Sequence, residues 1–189
     1  MTLIYIHGFN SSSASVKARL LREYLQNCGD ADQFLAPDLP HWPSRAIAML
    51  ESEIRRHDPQ TLTLIGSSLG GHYATWLAEK HALRAVLVNP AVNPHLLLVP
   101  ALGPQKNLYT GEKYQFTLQH LSELEQSDIA AITRPERYLL LVQTDDEVLD
   151  YRDAVEKYRG AKQVVIEGGD HGFQNWSGYI PLILEFAGK

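Results

Sequence analysis

The sequence predicts an α/β fold with a mostly parallel sheet of about six strands and helices on both faces. Short β-rich runs alternate along the chain with longer segments of helical periodicity, which is typical of a parallel sheet covered by helices. Some runs, such as Tyr138–Val142, are almost unbroken in apolar residues. Strands buried on both faces have this composition. The length of 189 residues fits one domain, 1–189.

The individual elements follow from this alternation. In the first helical segment Val16, Leu20 and Tyr24 recur at helical spacing and form an apolar stripe. Pro43 and Pro181 suit the first turns of helices. The predicted strands are Leu3–Ile6, Phe34–Ala36, Leu62–Ile65, Ala85–Val88, Tyr138–Val142 and Gln163–Ile166. The predicted helices are Ser15–Asn27, Ser44–His57, Leu69–Lys80, Tyr151–Tyr158 and Tyr179–Phe186.

One segment, about 92–133, interrupts the alternation. It contains several prolines and glycines and ends in a predicted helix, Thr117–Gln126. A connection of this length usually serves a function, and we expect a small cap over the site. Its apolar run Leu96–Val99 includes Leu97, which could line a substrate pocket. The same residues could simply pack the insertion onto the body.

Composition argues against several classes of protein. The net charge is −5 and no basic stripe stands out, so no nucleic-acid partner is expected. No apolar run approaches the roughly 18 residues of a membrane span. The single cysteine, Cys28, cannot form an internal disulfide or a zinc cluster. The chain opens on a strand pattern rather than a signal peptide, so we expect a cytoplasmic protein. The oligomeric state is not indicated.

The strongest motif is Gly66-Ser67-Ser68-Leu69-Gly70, a G-x-S-x-G sequence between a strand and a helix. In that context the motif exposes its serine on a sharp turn at the end of the sheet. Ser68 is therefore the predicted nucleophile. The alternative is a glycine-rich turn in which Ser68 only caps the helix. Ser67 occupies the variable position and is assigned no chemistry.

A serine nucleophile needs a base, which in this arrangement follows the acid along the chain. His171 lies directly after the last strand in Gly169-Asp170-His171-Gly172 and is the predicted base. His120 falls within the helical pattern of the insertion and is predicted to be a surface residue.

The acid is expected after the strand that precedes the last one, at Asp145-Asp146. Asp146 is preferred because the residues after it resemble those that follow the acid in many hydrolases. Asp145 remains the alternative. Glu147 and Asp150 fit the first turn of the next helix, where acidic side chains are favoured.

Two backbone N–H groups should stabilise the oxyanion, those of Leu69 and Phe9. Phe9 follows His7-Gly8, directly after the first strand, and His7 is predicted to hold this loop. His41 and Trp42 follow the second strand at the same edge and could line the pocket, although Trp42 could simply anchor its loop. No metal or cofactor is required by this chemistry.

With these residues the chain resembles the α/β-hydrolases, and more narrowly the small bacterial YqiA-like esterases. The segments that carry the resemblance are Ile4–Ser12, Ala36–Pro40, Gly66–Gly71, Asn89–Ala91 and Gly169–His171. The resemblance implies a carboxylic ester or thioester hydrolase that favours acyl esters. It also implies a sheet without the first two strands of larger hydrolases. The doubled aspartate Asp145-Asp146 departs from the family pattern.

The predicted function is a serine carboxylesterase for short to medium acyl chains, which forms an acyl-enzyme on Ser68. One alternative is an acyl-CoA thioesterase, for which Lys106 and Lys113 are the only candidates to contact CoA phosphates. Another is a hydrolase fold that serves as a protein-interaction module without catalysis.

Overall fold

The computed structural model describes residues 1–189. The strands are β1 (Thr2–Ile6), β2 (Phe34–Leu35), β3 (Leu62–Ser67), β4 (Arg84–Val88), β5 (Gly103–Lys106), β6 (Lys113–Phe116), β7 (Tyr138–Gln143) and β8 (Lys162–Ile166). The helices are α1 (Val16–Asn27), α2 (Pro43–Ile54), α3 (Leu69–His81), α4 (Pro94–Leu97), α5 (Leu118–Gln126), α6 (Tyr151–Lys157) and α7 (Trp176–Ala187).

Six strands form one sheet in the order β2-β1-β3-β4-β7-β8, and every neighbouring pair is parallel. All six are the strands predicted from the sequence, with ends that agree within two residues. The predicted α/β architecture is confirmed. Because parallel strands end at a common edge, the loops that follow β1, β3, β7 and β8 meet there.

The sheet separates two apolar layers. Ile4 and Ile6 of β1 face the layer formed with α2 and α3, whereas Leu3 and Tyr5 face α1 and α7. This alternation follows from the two-residue repeat of a strand. Burial on both faces explains why the central strands are apolar throughout.

Two helices differ from prediction by three residues at one end, whereas the other predicted helices agree within one residue. α7 begins at Trp176, three residues before the predicted start, so Pro181 lies inside the helix. The prediction of a first-turn position for Pro181 is wrong, since it is the sixth residue of α7 and, having no N–H, leaves the carbonyl of Ser177 without its usual helical partner. α2 ends at Ile54, before the predicted His57, because the N–H of His57 bonds to the carbonyl of Ile54.

The segment between β4 and β7 folds into α4, an antiparallel hairpin of β5 and β6, and α5. α5 was predicted, but the hairpin was not. The prediction of a surface position for His120 is wrong, since this residue is fully buried. His120 is the third residue of α5, and its Nδ1 accepts the N–H of Thr117 at 3.1 Å in a capping box.

Candidate active site

Ser68 lies on the turn between β3 and α3 in a strained backbone conformation, with φ 55° and ψ −124°. Two glycines permit this turn. A Cβ at Gly70 would lie 2.0 Å from the carbonyl oxygen of Ile6, and one at Gly66 would lie 2.3 Å from that of Gly70. The motif therefore needs glycine at both positions because the backbones on either side are too close for a side chain.

Three side chains from separate loops form a hydrogen-bonded chain at this turn. Ser68 Oγ lies 3.1 Å from His171 Nε2, and His171 Nδ1 lies 2.9 Å from Asp146 Oδ2. His171 follows β8 and Asp146 follows β7. The order nucleophile, imidazole, carboxylate is the geometry that activates a serine hydroxyl.

The carboxylate of Asp146 is held ionised by its hydrogen bonds. Its side chain is almost completely buried, which by itself raises the pKa. The hydrogen bonds from His171 and from the N–H groups of Leu149 and Val148 outweigh burial and hold the pKa of Asp146 below its usual range. The carboxylate of Asp145 lies elsewhere, 3.3 Å from the hydroxyl of Thr144.

The loop that carries His171 is held by residues to which sequence reasoning gave no role. The amide of Asn89, which follows β4, donates to the carbonyl oxygen of Asp170 at 3.1 Å. The amide oxygen of Gln143 accepts the N–H groups of Asp170 and Gln174 at 3.1 and 2.8 Å. Asn89 and Gln143 are both buried and also bond to each other, since Gln143 N–H donates to Asn89 Oδ1. The sequence did point to Asn89 in one respect, because Asn89–Ala91 is one of the segments that carry the family resemblance.

The two acidic residues expected at the start of α6 have separate roles. Asp150 is the N-cap of α6, and its carboxylate accepts the N–H of Arg152 at 2.9 Å. Glu147 precedes the helix, so its placement in the first helical turn was wrong. Its carboxylate accepts the backbone N–H of His171 at 2.9 Å.

The loop after β1 packs directly against the nucleophile. A Cβ at Gly8 would lie 3.1 Å from Ser68 Cβ, so a side chain at this position would crowd Ser68. His7 holds this loop through its ring, which contacts the carbonyl oxygen of Gly8 and accepts the N–H of Leu39 at 3.1 Å. Burial lowers the pKa of His7, in keeping with this neutral pairing.

The β5–β6 hairpin is bonded to the same loop. The N–H of Leu108 donates to the carbonyl oxygen of Asn10 at 2.9 Å, and the hydroxyl of Tyr114 donates to Asn10 Oδ1 at 2.7 Å. Asn10 has a φ of 52°, a conformation that asparagine tolerates better than most residues. The insertion thus fixes the residue next to Phe9.

Two cavities meet at Ser68, and Phe9 and His171 line both. The first has a volume of about 240 Å³ and is mostly apolar; its other lining residues are Leu69, Ala91, Pro94, Leu97, Leu98, Val148 and Leu149. The second has a volume of about 500 Å³, and its lining includes the charged residues Lys17 and Asp170 together with several serines and tyrosines.

The three predicted pocket residues occupy different places. Leu97 lines the apolar cavity beside Ser68. His41 lines a separate small recess that includes Phe9 and Leu69 but not Ser68. Trp42 lines neither cavity at Ser68 and stacks on His120 with ring centroids 3.8 Å apart.

A second serine–histidine–aspartate cluster lies between the insertion and α3. His72 Nε2 is 2.9 Å from Ser127 Oγ, and its Nδ1 is 3.7 Å from Asp128. Ser127 is buried and close to two backbone carbonyls, and none of the cavities described includes it. This cluster therefore joins two elements. No three histidine, cysteine or acidic side chains are grouped to hold a metal ion.

The model of an uncharacterised protein family, UPF0227, matches residues 2–188. The chain belongs to this family. The match confirms the resemblance to YqiA-like proteins that the sequence indicated. No helix of this UPF0227 member is both long and apolar enough to cross a membrane.

Solved structures share the fold of this UPF0227 member at low sequence identity. A protein of Agrobacterium vitis S4 has a TM-score of 0.78 and 18% identity, over 100% of this chain and 88% of that one. Mouse α/β-hydrolase domain-containing protein 10 has a TM-score of 0.74 and 17% identity, over 97% and 88%. Est1E from Butyrivibrio proteoclasticus has a TM-score of 0.69 and 16% identity, over 100% and 88%. These similarities confirm the α/β-hydrolase fold.

Proposed function

We propose that this protein is a serine carboxylesterase that cleaves esters of short to medium acyl chains. The observation that carries the proposal is the hydrogen-bonded chain from Ser68 Oγ through His171 to Asp146, with contacts of 3.1 and 2.9 Å. Two proteins with the same fold add support: an esterase domain from a Rhodothermus marinus protein, and Est1E, a structure of which has ferulic acid, a carboxylic acid, bound.

In the first half of the reaction Ser68 Oγ attacks the ester carbonyl carbon while its proton passes to His171 Nε2. The N–H groups of Leu69 and Phe9 stabilise the oxyanion, and Asp146 stabilises the imidazolium. The bond to the leaving oxygen then breaks, and His171 gives that oxygen the proton. The alcohol leaves, and the acyl group remains on Ser68.

In the second half water takes the place of the alcohol. His171 accepts a proton from the water as its oxygen attacks the acyl carbon, and the ester bond to Ser68 breaks. The proton returns from His171 to Ser68 Oγ, and the carboxylic acid leaves. The balance needs only the ester and water, so the residues of the chain suffice.

Labelling by a fluorophosphonate probe tests the proposal directly. The wild-type protein should be labelled with stoichiometry near one, and Ser68→Ala should not be labelled. Ser67→Ala is the matched control, because Ser67 is the adjacent serine and is buried in β3. Labelling that persists in Ser68→Ala would show that another residue is the nucleophile. A complete lack of labelling in wild type would favour a non-catalytic role.

A thioester substrate would use the same chemistry, but the two lysines predicted to contact coenzyme A phosphates do not line either cavity at Ser68. Lys106 and Lys113 face each other across the hairpin and line a recess that does not include Ser68. With the same protein preparation, kcat/KM should therefore be higher for p-nitrophenyl butyrate than for butyryl-CoA. The proposed partner is a small acyl ester, and the proposed location is the cytoplasm.

A further inference from the structure

The larger cavity at Ser68 contains a lysine and the start of a helix, neither of which the proposed esterase reaction requires. Its volume of about 500 Å³ is within the usual range for one small-molecule ligand. It is lined on one side by the start of α1 (Ser15, Val16 and Lys17) and on the other by the loop that carries His171.

The N-terminus of α1 opens on this cavity without a side-chain cap. Ser15 is the N-cap residue, but its side chain accepts no N–H from the first turn. Ser15 is more than nine-tenths buried, and its Oγ, which lies near the hydroxyl of Tyr5, makes no hydrogen bond of normal geometry. The first N–H groups of a helix have no partner within the helix, and together they attract negative charge. A buried donor beside an uncapped helix start is a place where an anion would be stabilised.

Lys17 adds a cation to the same wall. Its Nζ donates to the carbonyl oxygen of Gly172 at 2.8 Å, and it forms no ion pair within 4.0 Å. Burial lowers the pKa of Lys17 to about 8, against the opposing influence of Asp170 and Asp146, so the ammonium stays largely charged at neutral pH. A partly buried ammonium with only a neutral partner gains free energy when an anion binds.

The nearby carboxylates already have other partners. Asp170 also lines the cavity, and its Oδ2 accepts the amide of Gln174 at 2.9 Å. Asp146 is bonded to His171. Neither Asp170 nor Asp146 lies within ion-pair distance of Lys17. An anionic group of the ligand would therefore not have to displace a carboxylate from Lys17.

The larger cavity is the one assigned to the leaving group, because the apolar cavity suits an acyl chain. Five consecutive residues, Asp170–Gln174, line it, whereas His171 is the only one of them in the apolar cavity. The leaving oxygen receives its proton from His171, and Leu69, an oxyanion donor, lines the apolar side. We propose that Ser15, Lys17 and the start of α1 bind a carboxylate or phosphate carried by the leaving alcohol, so that the preferred substrates are esters of anionic alcohols. This inference rests on the proposed esterase function.

Para-substituted phenyl butyrates test it, because the acyl group stays constant while the leaving phenol varies in charge. The wild-type kcat/KM should be about tenfold higher when the para substituent of the phenol is a carboxylate or a phosphonate than when it is a carboxamide, which is neutral and similar in size. The carboxylate and phosphonate arms show which anion the site prefers. In Lys17→Met the ratio of anionic to neutral kcat/KM should fall to near one, and in Lys17→Arg it should be largely retained.

Arg19→Met is the matched control, because Arg19 lies on the same helix but pairs with Glu23 at the surface. Its ratio should equal that of the wild type. An equal kcat/KM for charged and neutral esters in the wild type, or a preference that survives in Lys17→Met, would overturn the inference while leaving the esterase proposal intact. If no phenyl butyrate is hydrolysed, the esterase proposal fails and the inference fails with it.

Discussion

Two adjacent aspartates in the loop after β7 have different surroundings at the scale of single residues. Asp146 is buried and accepts hydrogen bonds from His171 and from two backbone N–H groups, whereas Asp145 contacts Thr144. The carboxylate of Asp146 both fixes the tautomer of His171 and compensates its positive charge in the proposed reaction.

Asp146→Asn should therefore lower kcat for p-nitrophenyl butyrate by about 10³–10⁴-fold, since the amide can hold the imidazole in the wrong tautomer and does not compensate its charge. Asp145→Asn is the control and should leave kcat close to that of the wild type. Steady-state kinetics on the two purified variants measure the difference. Equal losses in both variants would show that the acid has been assigned to the wrong residue.

The length of the acyl chain is also set by single residues. Leu97 lines the apolar cavity and is partly exposed at its edge. Leu97→Trp should fill part of this volume, so that kcat/KM for octanoyl esters falls by about tenfold while that for acetyl esters is little changed. Leu96→Trp is the control, because Leu96 is exposed and does not line the cavity. A chain-length profile unchanged by Leu97→Trp would place the acyl group elsewhere.

The sequence indicated the residues of the proposed triad better than the residues that hold them in place. The positions of Ser68 and His171 follow from short motifs attached to particular strand ends, which is local information. Asn89 and Gln143 reach the His171 loop only after β4, β7 and β8 have paired. A buried side-chain amide that bonds to a distant backbone group produces no spacing pattern in the sequence, so its role is seen only in the folded structure.

Among the elements, the β5–β6 hairpin has the most direct influence on the proposed oxyanion loop. The hydroxyl of Tyr114 in β6 holds the side chain of Asn10, and Asn10 is adjacent to Phe9. Loss of that hydroxyl should let the loop move and weaken oxyanion stabilisation, which acts in the transition state.

Tyr114→Phe should therefore lower kcat by about fivefold with little change in KM, the effect of one lost hydrogen bond at a positioning residue. Tyr179→Phe in α7 is the control, because this tyrosine packs among apolar residues on the other side of the sheet. The kcat and KM values should be measured beside thermal unfolding. A rise in KM alone, or an equal loss in Tyr179→Phe, would contradict a role for the hairpin in catalysis.

The hairpin itself could not be predicted from the sequence. Gly103-Pro104 and Gly111 signal turns, but β5 and β6 are only four residues each, and β5 has no apolar alternation to match that of β6. The parallel strands were predictable because burial on both faces makes them apolar throughout. A short surface hairpin is stabilised by its contacts with the loop after β1, and those contacts are long-range.

At the scale of the whole molecule, the insertion is joined to the body by a stack of aromatic rings. His41 follows β2, whereas Tyr114 and His120 belong to the insertion. The ring of His41 stacks on Tyr114 with centroids 4.2 Å apart, and His41 Nδ1 lies 3.1 Å from His120 Nε2. Since His120 Nδ1 accepts the N–H of Thr117, its proton lies on Nε2 and is donated to His41. The contact thus requires both imidazoles to be neutral.

Stability should therefore depend on pH in a defined direction. Burial lowers the pKa of both His41 and His120, against the opposing influence of Glu112 on His41 and of Glu123 on His120. Arg45 lowers the pKa of His41 further, and protonation of His41 would lower that of His120. A histidine whose pKa is lower in the folded state than the usual value of about 6.5 binds more protons when unfolded, so stability is lost as the pH falls. The urea midpoint should decrease from about pH 7 to about pH 5, where most carboxylates remain ionised.

In His41→Phe this decrease should be smaller than in the wild type, because phenylalanine can still stack on Tyr114 but cannot be protonated. Other buried histidines keep part of the dependence, since burial also lowers the pKa of His72, to about 4, and that of His7. His57→Phe controls for the loss of one imidazole outside the stack and should retain the wild-type decrease. Urea unfolding followed by tryptophan fluorescence suits the measurement, because Trp42 lies against His120. An identical decrease in His41→Phe and the wild type would show that the His41–His120 contact does not couple protonation to stability, and that the insertion is held to the body by its apolar contacts.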